Sequence, residues 1–217
     1  MATCIVLGAG SGVSNSVARE FAQRGYHIAL CSRSPDRLEK LAQGLGSNAS
    51  CWNLDVSDLD EVKSVIEKIA QTHPNVEVLV FNAYSAEPGK STVVDPRKFD
   101  HALSVNITSA LAATQAVIPF MRKLGKGTVL ITGGGFALQP FSDLSALSVG
   151  KAGLRALAQC LYDELKDEGI HASTVTICGT VQPGTNFAPD LIAKAFMQLH
   201  DEPNGSFSAE IMFTGDR

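Results

Sequence analysis

The chain has 217 residues, of which 45% are hydrophobic and 18% are charged, and its net charge at pH 7 is −4. A chain of this length and composition can bury a core without disulfides or metals. The slight acidity disfavours nucleic acids and anionic membrane surfaces as partners, because it supplies no positive field.

The cysteines and the amino-terminal residues indicate a reducing, cytoplasmic setting. Five cysteines are scattered through the chain without CxxC or CxxH spacing, so no metal site is expected. The first residues, MATCIVLGAGSG, run from an apolar stretch into glycines and lack the basic start of a signal peptide. We expect no membrane span, since no apolar run approaches the roughly 20 residues that one needs.

Apolar segments rich in β-formers alternate with segments of helical period. Strands are predicted at Thr3–Gly8, His27–Cys31, Ala49–Asn53, Val76–Phe81, Gly127–Thr132, Ala172–Cys178 and near Ala209–Thr214. Helices are predicted at Val13–Arg24, Pro35–Leu45, Ser57–Thr72, Pro96–Lys123, Ser145–Asp167 and Pro189–His200. No linker-like stretch interrupts the alternation, so a single domain over residues 1–217 is expected.

The predicted strands are continuously apolar, as in CIVL, VEVLVF and TVLIT. This pattern is typical of strands that helices cover on both faces. Repeated strand–helix alternation therefore predicts an α/β fold with a doubly wound parallel sheet of the Rossmann type, about seven strands wide. In such sheets ligands bind beyond the carboxyl ends of the strands.

The first strand is followed by a glycine-rich turn that opens a helix, GAGSGV. Glycine permits a tight turn and lets the backbone approach a pyrophosphate, which then lies on the helix N-terminus. A tight turn without a ligand is the alternative, but the position in the first βαβ unit favours nucleotide binding. The residues predicted to bind are Gly8, Gly10, Ser11, Gly12 and Val13. Ser14 stands at the third glycine position, where it slightly crowds the helix against the strand.

The second strand ends in Ser32 and Arg33. An acidic residue here would bind a ribose 2′-hydroxyl and repel a 2′-phosphate. A small hydroxyl followed by an arginine favours the phosphate, and so NADP over NAD. A solvated arginine at the start of a helix is the alternative.

Several further motifs resemble the short-chain dehydrogenase/reductase (SDR) family, over nearly the whole chain. They are Asp55-Val56, Asn82-Ala83, Val105-Asn106 and Gly150-Lys151-Ala152, together with the glycine turn. The resemblance implies that Asp55, with Val56, contacts adenine, although Asp55 also suits a helix cap. It implies that Asn82 and Ala83 support the cofactor.

The resemblance also assigns the nicotinamide end of the cofactor. It implies that Lys151 holds the nicotinamide ribose and that Asn106 maintains a water-linked proton relay. The segment Cys178–Val181 takes the place of the family's Pro-Gly turn, so Gly179 and Val181 are predicted to meet the nicotinamide carboxamide.

The residues that transfer the proton in this family are missing. A tyrosine four residues before the lysine acts there as general acid and base, and an upstream serine hydrogen-bonds the substrate oxygen. Leu147 stands at the tyrosine position and Gly134 at the serine position. The spacing of enoyl reductases, with the tyrosine seven residues before the lysine, falls on Leu144.

Other groups must donate the proton if catalysis survives. Losing a general acid costs roughly 10²–10⁴-fold in rate, while proximity of the reactants persists. Tyr84 is the first candidate, although we favour a tyrosine half-buried against the long helix. Lys151 is a second candidate if burial depresses its pKa. Ser142, Ser145 and Ser148 are poor acids, and helix capping accounts for at least one of them.

Three weaker features concern the surroundings of the site. The run Thr132–Phe136 exposes glycine amides that suit an oxyanion, but a flexible turn is the interpretation we favour. Only the loop Gln182–Ala188 precedes the last helix, which leaves no room for a helical substrate lid and predicts an open pocket. The histidines expected at surface or helix-end positions are His73, His101, His171 and His200.

Two functions stay open. The first is an NADP-dependent SDR oxidoreductase that acts on a small-molecule carbonyl or alcohol, with Lys151, Asn106 and Tyr84 as its catalytic residues. The second is an NADP(H)-binding sensor or scaffold without redox turnover. Apolar faces on the two long helices, and mainly the resemblance, imply a homodimer or homotetramer.

Overall fold

Seven strands and seven α-helices alternate along residues 1–216, which the computed structural model describes. The strands are β1 (Thr3–Leu7), β2 (His27–Ser32), β3 (Ala49–Asn53), β4 (Val76–Phe81), β5 (Gly127–Gly134), β6 (Ile170–Ile177) and β7 (Glu210–Phe213). The helices are α1 (Val13–Gln23), α2 (Pro35–Leu45), α3 (Leu59–Thr72), α4 (Pro96–Leu103), α5 (Ser109–Leu124), α6 (Ser145–Leu165) and α7 (Pro189–His200).

The strands form one parallel sheet in the order β3-β2-β1-β4-β5-β6-β7. At the centre, Leu7 of β1 lies opposite Cys31 of β2 on one side and Phe81 of β4 on the other. The strand order reverses between β1 and β4, so the carboxyl ends of these two strands flank the switch point where doubly wound sheets bind ligands.

Each face of the sheet has its own apolar core. Ile5 belongs to the core that α3, α5 and α6 cover, whereas Val6 belongs to the core under α1 and α7. Both side chains are fully buried. Because successive residues of a strand point to opposite faces, a strand covered on both sides must be apolar throughout. The predicted doubly wound parallel sheet is confirmed.

The ends of two elements differ from the prediction for local reasons. α3 begins two residues later than predicted because the Asp58 carboxylate caps it, accepting from the Asp60 and Glu61 amides at 3.1 and 3.0 Å. β5 runs two residues further, since Gly133 and Gly134 pair with β6. Most of the glycine run is therefore extended strand, and the flexible turn that we expected is wrong.

The long predicted helix Pro96–Lys123 is interrupted by a π-helical turn at Ser104–Thr108. Such widened turns often occur at functional sites. By length and composition alone the run Pro96–Leu124 could cross a membrane, and 44% of its most apolar stretch is buried. Ala113 and Val117 on this run pack into the core, as in a core helix.

Candidate active-site cleft

One cleft of about 1430 Å³ opens at the carboxyl ends of the strands. It gathers all the residues that were predicted to bind the cofactor. They are Gly8, Gly10, Ser11, Gly12, Val13, Ser32, Arg33, Asp55, Val56, Asn82, Ala83, Lys151, Gly179 and Val181. Ligand sites typically measure about 300–1,000 Å³, so this cleft has room for a dinucleotide and a second molecule.

Gly8, directly after β1, lies against the backbone of Asn82 and Ala83, which follow β4. Its φ is +76°, and a Cβ there would lie 2.5 Å from the Ala83 nitrogen. A Cβ added to Gly10 or Gly12 would meet no described atom within 4 Å. Glycine is therefore required for packing at position 8, whereas the other two keep the turn open to the cleft.

Ser14, at the third glycine position, stabilises the turn. Its hydroxyl accepts a hydrogen bond from the Gly10 amide at 3.0 Å and lies 3.3 Å from the Gly8 carbonyl oxygen. Ser14 is 1% exposed, so its small side chain is buried in the first turn of α1. Within residues 1–216, no side chain caps the amino terminus of α1 at Gly12, so the first amides of this helix stay available to an anion.

Positive charge collects at the end of the cleft beside β2. Arg33 directly follows β2 and Arg37 lies in the first turn of α2, and both line the cleft. Arg33 is 72% exposed, and its Nη1 lies 3.9 Å from the Asp55 carboxylate, which makes the pair a weak one. Our sequence reasoning missed Arg37, although its place in the first turn after Arg33 was a usable signal.

Asp55 is oriented by its neighbour Ser57. The carboxylate accepts hydrogen bonds from the Ser57 amide at 3.0 Å and the Ser57 hydroxyl at 2.8 Å. Partial burial raises the pKa of Asp55, but these bonds and the Arg33 and His101 charges outweigh it and lower the pKa overall. Since Asp58 caps α3, the alternative reading of Asp55 as that cap is wrong.

A chain of hydrogen bonds connects the glycine turn to Lys151. The Asn82 amide nitrogen donates to the Gly8 carbonyl at 3.1 Å, and the Thr132 hydroxyl donates to the Asn82 oxygen at 3.0 Å. The Lys151 ammonium in turn donates to the Thr132 carbonyl at 2.6 Å. The carboxyl ends of β1, β4 and β5 are thereby tied to α6. Our sequence reasoning did not identify Thr132 as the connecting residue.

Lys151 is partly buried and lies along the glycine strand end. A Cβ at Gly134 would be 3.5 Å from the Lys151 Cε, so the aliphatic stem covers that glycine. Among residues 1–216, no carboxylate lies within 4 Å of its Nζ. Burial lowers the pKa of Lys151 to about 8. The side chain is therefore a cation at neutral pH that loses its proton readily.

Leu147 lies one helical turn before Lys151 and forms the adjoining wall of the cleft, with 7% of its surface exposed. The serines nearby do not replace the missing tyrosine. The Ser145 hydroxyl donates to the Gly89 carbonyl at 2.7 Å, and the Ser148 hydroxyl donates to the Leu144 carbonyl at 3.0 Å. The Ser148 hydroxyl also accepts from the Phe141 amide at 3.0 Å. The expected capping role is wrong, because the N-cap residue of α6 is Leu144 and no side chain caps this helix within the described residues.

Tyr84 stands at the rim of the same cleft and is 61% exposed. The half-buried packing against the long helix that we favoured is therefore wrong. The backbone on either side is fixed, since Asn82 binds Gly8 and Ser85 binds Asn106. Hydrogen bonds therefore hold the backbone on both sides of Tyr84, in the segment that follows β4.

Asn106 lies behind the cleft wall and is 1% exposed. Its side-chain oxygen accepts from the Ser85 amide at 2.7 Å, and its nitrogen donates to the Ser85 carbonyl at 2.9 Å. A Cβ at Gly150 would lie 2.6 Å from that nitrogen, so α6 packs closely over it. Of the three residues predicted to be catalytic, Lys151 and Tyr84 line the cleft, while Asn106 holds the segment after Tyr84.

The loop after β6 is short and closed on itself, as expected. The Gln182 amide donates to the Phe187 carbonyl at 3.2 Å, and the Thr185 hydroxyl donates to the Gln182 carbonyl at 2.8 Å. The Phe187 ring fills the space over Gly179, where a Cβ would clash with it. The loop therefore leaves this end of the cleft open.

Apolar side chains surround the open end. Leu138, Val181 and Met212 line the cleft and are 42%, 40% and 44% exposed. Phe136 also lines the cleft and stacks on Phe141, with ring centroids 6.0 Å apart. Exposed apolar groups gathered in one concave site favour a ligand with a substantial apolar surface.

One of the four histidines lies elsewhere than expected, His171, whereas His73, His101 and His200 occupy the predicted surface or helix-end positions. His171 is 1% exposed and stacks on Phe207 at 4.3 Å. His200 is largely buried, and its Nδ1 lies 3.0 Å from the Thr128 hydroxyl. Both lie near the amino ends of the strands, away from the cleft. The predicted position is wrong for His171, which is buried within β6, whereas His200 ends α7 as predicted. His101, in contrast, lines the cleft.

Known proteins resemble this chain in sequence and in fold. The sequence pattern of the family described as short chain dehydrogenase matches residues 2–191. The 3-oxoacyl-[acyl-carrier-protein] reductase FabG of Thermotoga maritima is 26% identical over 190 residues, which are 86% of this chain and 77% of that protein. A short-chain dehydrogenase from Rhodopseudomonas palustris superposes with a TM-score of 0.87 at 25% identity, covering 97% of this chain and 96% of its own. A metagenomic short-chain oxidoreductase in complex with NADP shares the fold, with a TM-score of 0.87 at 22% identity over 97% of this chain and 96% of that one.

Proposed function

The chain belongs to the short-chain dehydrogenase/reductase family, and on that basis we propose that it is an NADP(H)-dependent oxidoreductase acting on a carbonyl- or alcohol-type small molecule. One observation carries the proposal: a single cleft holds the open glycine turn, the two arginines and Lys151. When bound, the nicotinamide cofactor supplies or accepts a hydride. The protein residues then have to bind the cofactor and the substrate, orient them, and donate or accept the proton.

The cleft fits a dinucleotide at three points. The open faces of Gly10 and Gly12 and the free amides of α1 would receive a pyrophosphate. Asp55 would accept from the adenine, since its carboxylate is already oriented by Ser57. Lys151 would donate to the nicotinamide ribose, because an ammonium has three N–H groups and only one is committed to Thr132.

The arginines favour NADP over NAD. Arg33 and Arg37 face the cleft from the carboxyl end of β2, where Ser32 stands in place of an acidic residue. Guanidinium groups bind a phosphate through charged, bidentate hydrogen bonds, whereas a ribose hydroxyl gains little from them. The NADP bound by the structurally similar metagenomic oxidoreductase supports the same choice.

Two groups on the cleft can supply the proton. Lys151 lies against Gly134, where the family serine would stand, and its lowered pKa of about 8 suits proton transfer near neutral pH. Tyr84 presents its phenol at the rim. Asn106 acts through Ser85 in this proposal, as a positioning residue for Tyr84.

The proposal is tested by titrating the protein with NADPH and with NADH, following cofactor fluorescence and the melting temperature. Binding of neither cofactor overturns it. If NADPH binds, a panel of aldehydes and ketones is assayed with Tyr84→Phe and Lys151→Met. Binding without any turnover favours the second candidate, an NADP(H)-binding sensor or scaffold, which the apolar Leu147 and the bare Gly134 support.

We also propose a homodimer or homotetramer in a reducing, cytoplasmic setting. α6 exposes Val149, Ala152 and Ala156, which suit a helix–helix interface. All five cysteines are free thiols. Light scattering should give a dimer or tetramer, and Ala156→Arg should lower the mass; a monomeric native protein contradicts the oligomer.

A further inference from the structure

We propose that the small molecule bound beside Lys151 carries its own acidic hydroxyl, a phenol or an enol, at the place where the protein lacks a tyrosine. The ligand would thus supply the oxygen that α6 does not. That this ligand is the substrate rests on the proposed function. Its binding beside Lys151 is measured separately.

The first argument is the missing counter-charge. Lys151 is held in a partly buried site, and within the part of the chain that the structure describes its Nζ contacts a neutral carbonyl, that of Thr132, and no carboxylate. A desolvated cation is costly unless an anion compensates it. Ribose hydroxyls are neutral and leave the charge in place. An oxyanion on the ligand would compensate it.

The second argument is the composition of the wall around the ammonium. Leu147 is on the same face of α6 as Lys151, four residues earlier, and ends in methyl groups. Above Gly134, the nearest atoms to an added Cβ are Lys151 methylene carbons at 3.5 and 3.6 Å. Leu147 and Gly134 therefore offer the lysine no hydroxyl.

The third argument is the character of the open end. Phe136, Leu138, Val181 and Met212 present apolar surface to the cleft, and Tyr84 presents an aromatic ring. An aromatic or extended conjugated ligand would bury its faces against these groups. A phenol or enol combines that apolar body with an oxygen that ionises close to neutral pH once a cation faces it.

The other titratable groups on the cleft lie on different elements. Arg33, Arg37, Asp55 and His101 surround the end beside β2, Tyr84 and Glu87 lie on the segment after β4, and Cys178 follows β6. Glu87 is paired with Lys98 at 3.2 Å. Lys151 is therefore the cation that faces the glycine-lined wall. Since burial lowers its pKa to about 8, a bound anion should raise that pKa again.

The test uses 4-nitrophenol, which titrates near neutral pH and whose phenolate absorbs visible light. The full chain is mixed with the probe, without nucleotide and with NADP⁺, and the absorbance is followed against pH. The bound probe should have a pKa at least one unit lower than the free probe, and 4-nitrophenolate should bind at least tenfold more tightly than 4-nitroanisole, which has no ionisable hydroxyl.

Two variants separate the lysine from general cleft charge. In the titration without nucleotide, Lys151→Met should abolish the pKa shift of the probe, while Arg33→Met, which removes a cation at the other end of the cleft, should preserve it. The melting temperature of each variant checks its folding. Equal binding of 4-nitrophenol and 4-nitroanisole to the native protein, or a shift that survives Lys151→Met, overturns the inference. NADPH binding is measured in parallel to distinguish failure of this inference from failure of the proposed function. A protein that does not bind NADPH overturns the proposed function, whatever the result with the probe.

Discussion

The Lys151 ammonium donates a hydrogen bond of 2.6 Å to the Thr132 carbonyl oxygen, at the point where β5 enters its glycine run. This contact fixes the lysine beside Gly134 without help from a tyrosine or a carboxylate. Thr132 also donates to Asn82, which binds Gly8. The position of the lysine is thereby set by the same strands that form the glycine turn.

Restoring the two missing side chains should raise carbonyl reduction. A serine at position 134 would meet the Lys151 stem at ordinary van der Waals distance, and Leu147 already faces the cleft. We expect Gly134→Ser/Leu147→Tyr to reduce simple ketones about 10²–10⁴-fold faster than the native chain. The kcat measured with NADPH checks this.

The matched control is Gly134→Ser/Leu147→Phe, which adds the ring without the hydroxyl and should give no gain. Gly133→Ser is a poor substitute, because its Cβ would lie 2.6 Å from the Thr176 hydroxyl oxygen. Equal rates for the tyrosine and phenylalanine variants, with NADPH binding intact, would refute the account of the missing donor.

Gly8→Ala should destabilise the fold where Gly10→Ala does not. The substitution places a Cβ against the Ala83 backbone and forces alanine into a left-handed conformation. We expect a loss of about 2 kcal/mol or more in the free energy of unfolding. Urea denaturation of the two variants measures the difference, and indistinguishable stabilities would contradict the close approach of β1 and β4.

Because Lys151 is buried, the free energy of unfolding should increase as the pH rises from about 8 toward 10. Burial lowers its pKa to about 8 in the folded chain, whereas the unfolded chain keeps a lysine pKa of about 10.4. Between these values the unfolded state binds more protons, so raising the pH favours the folded state. Below pH 8 the buried charge costs stability.

Lys151→Met removes this cost. We expect the variant to be on the order of 1–3 kcal/mol more stable than the native chain at pH 7, with a smaller gain at pH 10. Chemical denaturation at the two pH values measures it. A variant that is less stable at pH 7 would show that the Thr132 hydrogen bond outweighs the desolvation.

The fold and the cofactor end of the cleft could be predicted because their signals are local. Continuous apolar strands such as Ile5-Val6-Leu7 follow directly from two covered faces. The glycine turn, Arg33 and Asp55 each follow a strand, and in a parallel sheet those positions meet at one edge. Their positions directly after predicted strands were therefore enough to predict that these residues lie close together.

The catalytic end could not be predicted because its contacts join distant segments. Two hydrogen bonds to Ser85 hold the Asn106 side chain behind the cleft wall. No pattern in the sequence predicts this pairing. Tyr84 is exposed at the cleft, while its backbone neighbours are held on both sides by hydrogen bonds to Gly8 and Asn106. Gly133 and Gly134 form strand because β6 offers partners, which overrides the turn preference of glycine.

The most direct test of the central claim is a fluorescence titration with NADPH and NADH on the native chain and on Arg33→Ala. We expect the native chain to bind NADPH at least tenfold more tightly than NADH, since Arg33 and Arg37 face the 2′-phosphate position. Arg33→Ala should weaken NADPH binding much more than NADH binding. Equal losses for both cofactors would contradict the phosphate role, and binding of neither would contradict the proposed function.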